Sequence, residues 1–119
     1  MSCIARATPR VLIVPGLNDS SPGHWQTWLE QQHRGARRVR QRDWQRPDLD
    51  AWAEAIGATL AAQPADAGWI AVAHSFGCLA LARWLRLGGR GVQAAVLVAP
   101  ADPVKFGVAH RLPTEPLPI

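Results

Sequence analysis

The 119-residue chain has few of the features that mark disulfide-rich or metal-binding proteins. Its two cysteines, Cys3 and Cys78, are far apart and match no metal-ligand or redox spacing, so they predict neither a zinc site nor a disulfide framework. Its four histidines and nine acidic residues contain no H-E-x-x-H or similar pattern. We therefore expect free thiols and no bound metal.

Long apolar segments are also missing. No apolar run approaches the length of a membrane span, and Met1–Pro9 lacks the apolar stretch of a secretory signal. Unpaired cysteines are typical of a reducing compartment. The sequence therefore predicts a cytoplasmic protein that makes no membrane contact.

The composition is that of a globular domain. Apolar residues make up 48% of the chain and charged residues 18%, which argues against disorder. A chain of 119 residues is long enough for one domain with a core of its own. No internal repeat or low-complexity segment is present.

Arginine greatly outnumbers lysine, and the formal net charge is +4. The densest basic cluster has six members: Arg34, Arg37, Arg38, Arg40, Arg42 and Arg46. A basic stripe attracts phosphate, so a nucleic-acid-binding domain is one interpretation. No nucleic-acid-binding motif accompanies the cluster, which favours solvated arginines on a helix end and a strand instead.

Apolar runs and helical patterns alternate along the chain. Strands are predicted at Arg10–Val14, Arg37–Gln41, Trp69–Ala73 and Val92–Val98. Helices are predicted from Ser21-Pro22 (N-cap and first turn) to His33, from Pro47-Asp48 to Pro64, and at Phe76–Leu87. This βαβαβαβ order predicts a parallel sheet with helices on both faces, an α/β fold.

Helical spacing also predicts the core. The second helix would bury Leu49, Trp52, Ala53, Ile56 and Leu60, and the third would bury Leu79, Ala82 and Leu85. Four tryptophans at helical spacing are expected in the core: Trp25, Trp28, Trp52 and Trp84. The proline-rich tail Leu112–Ile119 fits neither a helix nor a central strand and is expected to be a connecting loop.

The stretch Trp69–Gly77 has the layout of a nucleophile elbow, in which a strand turns sharply into a helix and exposes a serine hydroxyl. The serine is Ser75. Ala73 stands where the G-x-S-x-G pattern has its first glycine, and alanine adds only a methyl group. An ordinary helix N-cap is the alternative role for Ser75.

Four further segments occur with the elbow in one order along the chain: Val11–Gly16, His24–Trp28, Asp43–Pro47 and Leu97–Pro103. Together they resemble the retinoblastoma-binding protein 9-like family of small α/β-hydrolases over about residues 10–119. The resemblance implies a three-layer α/β/α sandwich, a Ser-Asp-His triad and hydrolysis of small carboxyl esters or amides through an acyl-serine intermediate, without a cofactor.

The resemblance also implies site residues. Ser75 would be the nucleophile, and the backbone N–H groups of Phe76 and Leu17 would form the oxyanion hole. The triad Asp and His are not identified in this chain. By the family pattern they would lie beyond Ile119, so residues 1–119 would be a single, incomplete α/β-hydrolase domain that stops after the fourth strand.

Other residues could serve in the missing roles. Asp102 follows the fourth strand and is either a triad acid or a loop cap, with the cap favoured. His110 could reach the site along an extended segment, but it is disfavoured because only nine residues follow it and none supplies a framework. His24 near the first loop is either a base or a structural histidine packed by Trp25, and the structural role is favoured. His74 is adjacent to Ser75, where neighbouring side chains diverge, and is not expected to be its base.

Three functions therefore stay open: a serine hydrolase, a catalytically inactive fragment or binding remnant that lacks acid and base, and the disfavoured nucleic-acid-binding domain. Because Val92–Val98 is apolar and would normally be paired on both edges, we also expect self-association through an open sheet edge.

Overall fold

A computed structural model describes residues 8–113 and residue 115 of the chain. They form a sheet of four parallel strands with three α-helices between the strands. The strands are β1 (Arg10–Val14), β2 (Arg37–Arg38), β3 (Trp69–His74) and β4 (Val92–Val98), and the helices are α1 (Trp25–Gln32), α2 (Leu49–Ala61) and α3 (Phe76–Arg86), with a 3₁₀ helix at Ala109–Arg111.

The strand order is β2-β1-β3-β4, so β1 and β3 lie side by side in the centre of the sheet. Their register pairs Leu12 with Ala71 and Val14 with Ala73. The continuous apolar run of β1 is buried on both faces because helices cover both sides of it. The predicted parallel α/β fold is confirmed.

Helices lie on both faces of the sheet. The larger core cluster joins β1 and β3 to α2 and α3 through side chains such as Leu12, Ile56 and Leu81. The smaller cluster consists of Val11, Ile13 and Val72, with Leu29 of α1 packed against it. The sheet is therefore the middle of three layers.

The predicted inner faces of α2 and α3 are mostly confirmed. Leu49, Trp52, Ala53 and Ile56 are buried, and so are Leu79 and Leu85. Leu60 and Ala82, however, are only partly buried. Cys78 is buried in the first turn of α3, and its thiol is free, as expected. Burial raises the pKa of the Cys78 thiol to about 11.

The prediction for α1 was wrong in two respects. The N-cap is His24, whose Nδ1 accepts a hydrogen bond from Gln26 N, rather than Ser21. Trp25 and Trp28 do not belong to the core: they are 37% and 60% exposed. The helix instead turns Gln26, which is fully buried, toward the sheet. Of the other two tryptophans, Trp52 is buried and Trp84 is partly buried.

β2 is shorter than the predicted strand Arg37–Gln41. β2 contains only Arg37 and Arg38, although Val39 N still donates to Ile13 O before the chain leaves the sheet. β4 has the predicted bounds and is an edge strand among the described residues, with Val96 and Leu97 50% and 40% exposed. Most of the predicted tail loop, residue 114 and residues 116–119, lies outside the described residues.

None of the helices in the described part of the chain is long and apolar enough to cross a membrane.

Candidate active site

Ser75 occupies the junction between β3 and α3 with an unusual backbone conformation. Its φ is 55° and its ψ is −124°, a region that residues other than glycine rarely adopt. Ser75 N donates to Val98 O, and Ser75 O accepts from Cys78 N and Ala101 N. Its side chain makes no capping hydrogen bond. The N-cap alternative for Ser75 therefore has no hydrogen bond to support it.

Two glycines let the backbone around Ser75 approach the end of β1. A Cβ atom at Gly77 would lie 2.5 Å from the carbonyl oxygens of both Val14 and Pro15. A Cβ atom at Gly16 would lie 2.9 Å from Ser75 Cβ. These contacts are shorter than real Cβ atoms tolerate, so glycine is required at both positions. The loop after β1 is thus held directly against the strand-to-helix turn at Ser75.

The loop after β1 has a defined conformation of its own. Asn18 and Asp19 have φ values of 66° and 61°. Asn18 N donates to Trp44 O, and Asp19 N donates to Gly16 O. In the loops and caps that the structure describes, neither Leu17 N nor Phe76 N donates a backbone hydrogen bond. Within these loops and caps, the two N–H groups predicted for the oxyanion hole therefore have no backbone acceptor.

Arg38 anchors the loop after β1 through ion pairs and hydrogen bonds. Its guanidinium pairs with Asp19 at 3.0 Å and with Glu30 at 2.8 Å, and its side chain is only 8% exposed. It also donates to Ser20 O and to Thr27 Oγ1. A buried guanidinium needs such partners, because an unpaired charge away from water is costly. The interpretation of Arg38 as a solvated member of the basic cluster was wrong, whereas the other five arginines are exposed.

Gln26 ties the same loop to the two central strands. Its Nε2 donates to Val14 O at 3.2 Å and to Val72 O at 3.0 Å, and its Oε1 accepts from Ser20 Oγ at 2.6 Å. The sequence did not predict a buried Gln26, because the neighbouring Trp25 and Trp28 dominate the apolar spacing of this helix. The available signal was its spacing of three residues from Leu29, which shares its helix face.

An aromatic cluster packs around Phe76. Its ring centroid lies 5.1 Å from that of Trp52 and 5.0 Å from that of Phe106. The Trp52 ring in turn meets the Trp44 ring edge-on at 5.8 Å. Because Trp44 O accepts the hydrogen bond from Asn18 N, the segment around Trp44 connects this cluster to the loop after β1. These contacts therefore fix the ring of Phe76, the first residue of α3, against the core.

His24 and His74 lie together on the opposite side of the turn. Their ring centroids are 4.9 Å apart, and Trp25 meets His74 edge-on at 5.9 Å. Desolvation by burial, followed by the charge of His24, lowers the pKa of His74 from 6.5. His24 packs against Trp25, with ring centroids 5.4 Å apart, and it caps α1. Both contacts fit the structural role that the sequence favoured for His24.

The sequence matches the serine hydrolase family model over residues 11–119. The chain belongs to the serine hydrolase family. Its fold is also similar to the crystal structure of a protein from Pectobacterium atrosepticum described as a YdeN-like hydrolase, with a TM-score of 0.86 and 37% sequence identity. That likeness covers 93% of this chain and 60% of the other chain, so this chain spans less than two thirds of its neighbour's length. No curated protein matches the chain.

The predicted serine hydrolase family and the α/β-hydrolase-like fold are thereby confirmed. Within the described residues, however, no side chain forms a hydrogen bond with Ser75 Oγ. Asp102 Oδ1 accepts from Val104 N, which is the loop-cap role favoured for it. His110 is exposed on the 3₁₀ helix. The structure brings Ser75, Phe76 and Leu17 to the carboxyl ends of the central strands β1 and β3, and among the described residues it joins no acid–base pair to them.

A groove lies between the segment 40–48 and α2 rather than at Ser75. It encloses about 620 Å³ between the segment 40–48 and α2, and Arg40, Arg46, Trp52 and Glu54 are among its lining residues. Ser75, Leu17 and Phe76 do not line it. No group of three or more His, Cys, Asp or Glu side chains among the described residues could hold a metal ion.

Proposed function

We propose that Ser75 is the nucleophile of a serine hydrolase that cleaves small carboxyl esters or amides through an acyl-serine intermediate. The observation that carries this proposal is the strained backbone of Ser75 between β3 and α3, with a hydroxyl that caps nothing. Strain of this kind costs about 1–3 kcal/mol and persists where surrounding contacts enforce it, often at active sites. A nucleophile elbow uses this turn to present the hydroxyl at the top of the sheet.

The backbone N–H groups of Leu17 and Phe76 are proposed as the oxyanion hole. Two features support this assignment: the close approach of Gly16 to Ser75, and the anchoring of the loop after β1 by Arg38 and Gln26. Donors held rigidly before the reaction need no reorganisation when negative charge develops on the substrate carbonyl oxygen. No cofactor is needed for acyl transfer of this kind.

No catalytic acid or base is proposed among the described residues. A serine hydroxyl needs a base to become a strong nucleophile at neutral pH. His24 Nδ1 is engaged by Gln26 N, and the described side chains contain no hydrogen bond from Ser75 Oγ to His74 or His110. We therefore expect this chain by itself to turn over short acyl esters poorly, since loss of a triad histidine costs on the order of a million-fold in rate.

Membership of the retinoblastoma-binding protein 9-like group is part of the same proposal. Its support is the ordered set of segments around Gly16, Trp25, Trp44 and Ser75. A cytoplasmic location is also proposed, and the free, buried thiol of Cys78 is consistent with it.

The test separates a competent nucleophile from an inactive binding remnant. The chain is incubated with a p-nitrophenyl ester, with and without imidazole as an external base, and acylated peptides are identified by mass spectrometry. We expect imidazole-dependent acylation of Ser75, none at that position in Ser75→Ala, and unchanged acylation in the control Ser21→Ala. Absence of acyl-Ser75 under all conditions would favour the inactive remnant. Robust turnover without imidazole would show that a residue of the chain is the base.

A further inference from the structure

The loop after β1 contains a tight turn at Leu17. Asp19 N donates to Gly16 O at 3.2 Å, which closes a four-residue turn with Leu17 and Asn18 at its centre. Asn18 and Asp19 both have positive φ values, 66° and 61°. Asn and Asp enter this region as single residues, and two in succession need contacts that hold them there. The direction of the Leu17 N–H group therefore depends on the contacts that hold Asp19.

The carboxylate of Asp19 is held by Arg38. Its Oδ1 accepts from Ser20 N at 2.6 Å and from Arg38 Nη1 at 3.0 Å. The same Nη1 donates to Ser20 O at 2.9 Å. Arg38 therefore binds the residues that close the turn through a side-chain acceptor and a backbone acceptor together.

The other donors of the guanidinium are bound to α1. Nε donates to Glu30 Oε1 at 3.0 Å, and Nη2 lies 2.8 Å from the same oxygen. Nη2 also donates to Thr27 Oγ1 at 2.8 Å. A guanidinium has five N–H donors in a rigid planar fork. The two contacts of Nη1 and these three occupy all five donors of Arg38.

The backbone of Arg38 is fixed to the strand from which the loop emerges. Arg38 pairs with Ile13 in the register of β2 with β1, and Val14, the next residue of β1, is its last. The loop then passes close to the elbow, since a Cβ atom at Gly16 would lie 2.9 Å from Ser75 Cβ. The turn at Leu17 is therefore held between the sheet and α1 while it lies against Ser75.

We propose that Arg38 is a positioning residue of this hydrolase: through Asp19 it holds the turn that directs Leu17 N–H to the oxyanion position. Arg38 itself does not touch the substrate. This inference rests on the proposed function, in which Ser75 is acylated and Leu17 N–H is an oxyanion donor. A donor that is oriented before the reaction stabilises the developing negative charge without reorganisation. Lysine cannot replace Arg38, because an ammonium group has three donors and no planar fork.

The rate at which an ester acylates Ser75 tests this role. The parent protein and the variants are incubated with a p-nitrophenyl ester and saturating imidazole, and acyl-Ser75 is followed over time by mass spectrometry. Loss of one oxyanion donor costs about 100- to 1,000-fold in rate, so a misplaced donor in Arg38→Lys should lower the limiting rate by at least about tenfold. The ester concentration for half-maximal rate should not change, because this contact forms only in the transition state.

Asp19→Asn isolates the link between Arg38 and the turn. Asparagine accepts a positive φ and leaves Arg38 in place, but it offers the guanidinium no charge, so the limiting rate should fall by less than in Arg38→Lys. This variant decides the matter if Arg38→Lys does not fold. Arg37→Lys, the same change at the exposed neighbour in β2, should keep the parental rate. Asp48→Ala removes the N-cap of α2 and should lower stability without changing the rate.

The outcomes separate this role from the proposed function. Acylation at the parental rate in Asp19→Asn, or in a folded Arg38→Lys, would overturn the positioning role and leave Ser75 as the nucleophile. A parent protein that forms no acyl-Ser75 would overturn the proposed function and this role together. A rate loss in Asp48→Ala as large as that in Asp19→Asn would attribute the effect to lowered stability and would also overturn the positioning role.

Discussion

Gly77 of α3 lies directly against Val14 of β1. The space for a Cβ atom at Gly77 is filled by backbone, because that atom would sit 2.5 Å from Val14 O. Backbone atoms cannot move aside as the end of a flexible side chain can. This contact fixes the angle at which α3 leaves the sheet, and with it the turn that carries Ser75.

The first prediction follows from that contact. Gly77→Ala should reduce the free energy of unfolding by about 3 kcal/mol, and Gly77→Val by more, because each overpacks a site bounded by backbone. Gly23→Ala is the matched control, since no atom lies within 4 Å of a Cβ there. Chemical denaturation measures both. Equal stability of Gly77→Ala and Gly23→Ala would contradict the close approach.

The second prediction concerns the strain at Ser75. Ser75→Ala should change stability by less than about 0.5 kcal/mol, because the hydroxyl caps no helix. Ser75→Gly should be stabilising by about 1 kcal/mol, since glycine accepts a positive φ without strain. Asp48→Ala removes a real N-cap, the bond from Ala51 N, and should cost about 1 kcal/mol. A loss from Ser75→Ala as large as that from Asp48→Ala would restore the N-cap interpretation.

The third prediction compares Gln26 with Trp28, two residues of the same helix. Gln26→Leu should cost about 3 kcal/mol, because it leaves buried groups around Ser20 and the two central strands without their partner. Trp28→Ser should cost under about 1 kcal/mol, because that side chain is 60% exposed. Thermal or urea unfolding of both variants measures which substitution lowers the stability more. A larger loss at Trp28 would place it in the core, as its sequence spacing predicted.

The fourth prediction is a pH dependence of stability. The pKa of His74 is lowered from 6.5 in the folded protein, mainly by burial and then by the charge of His24, so the unfolded chain binds the proton more readily. The contribution of neutral His74 to the free energy of unfolding is complete above pH 6.5. It is lost as the pH falls toward and through the lowered pKa. The groups that face His74 are the rings of His24 and Trp25. Urea unfolding between pH 5 and 7.5 should show this loss.

His74→Gln should flatten that profile, because a neutral amide removes the titrating group. His110→Gln, a change at an exposed histidine, should leave the profile of the parent protein unchanged. Identical profiles for the parent protein and His74→Gln would show that His74 does not contribute to the loss.

Local sequence determined much of this protein. The apolar run of β1 predicted a strand, and its apolar side chains at successive positions fit one that is buried on both faces. The small residues around Ser75 predicted a tight strand-to-helix turn, which the structure confirms. The nucleophilic role of Ser75 and the oxyanion role of Leu17 and Phe76 stay predictions.

Tertiary structure alone decided which face of α1 is buried and which arginine is paired. Amphipathic spacing ranks side chains by hydrophobicity, and by that rank Trp28 belongs inside and Gln26 outside. The carbonyl groups of Val14 and Val72 reverse the order, because a buried amide that satisfies them contributes more than a tryptophan left at the surface. Arg38 is buried for a similar reason: Asp19 and Glu30, distant in sequence, meet only around its guanidinium once the chain has folded.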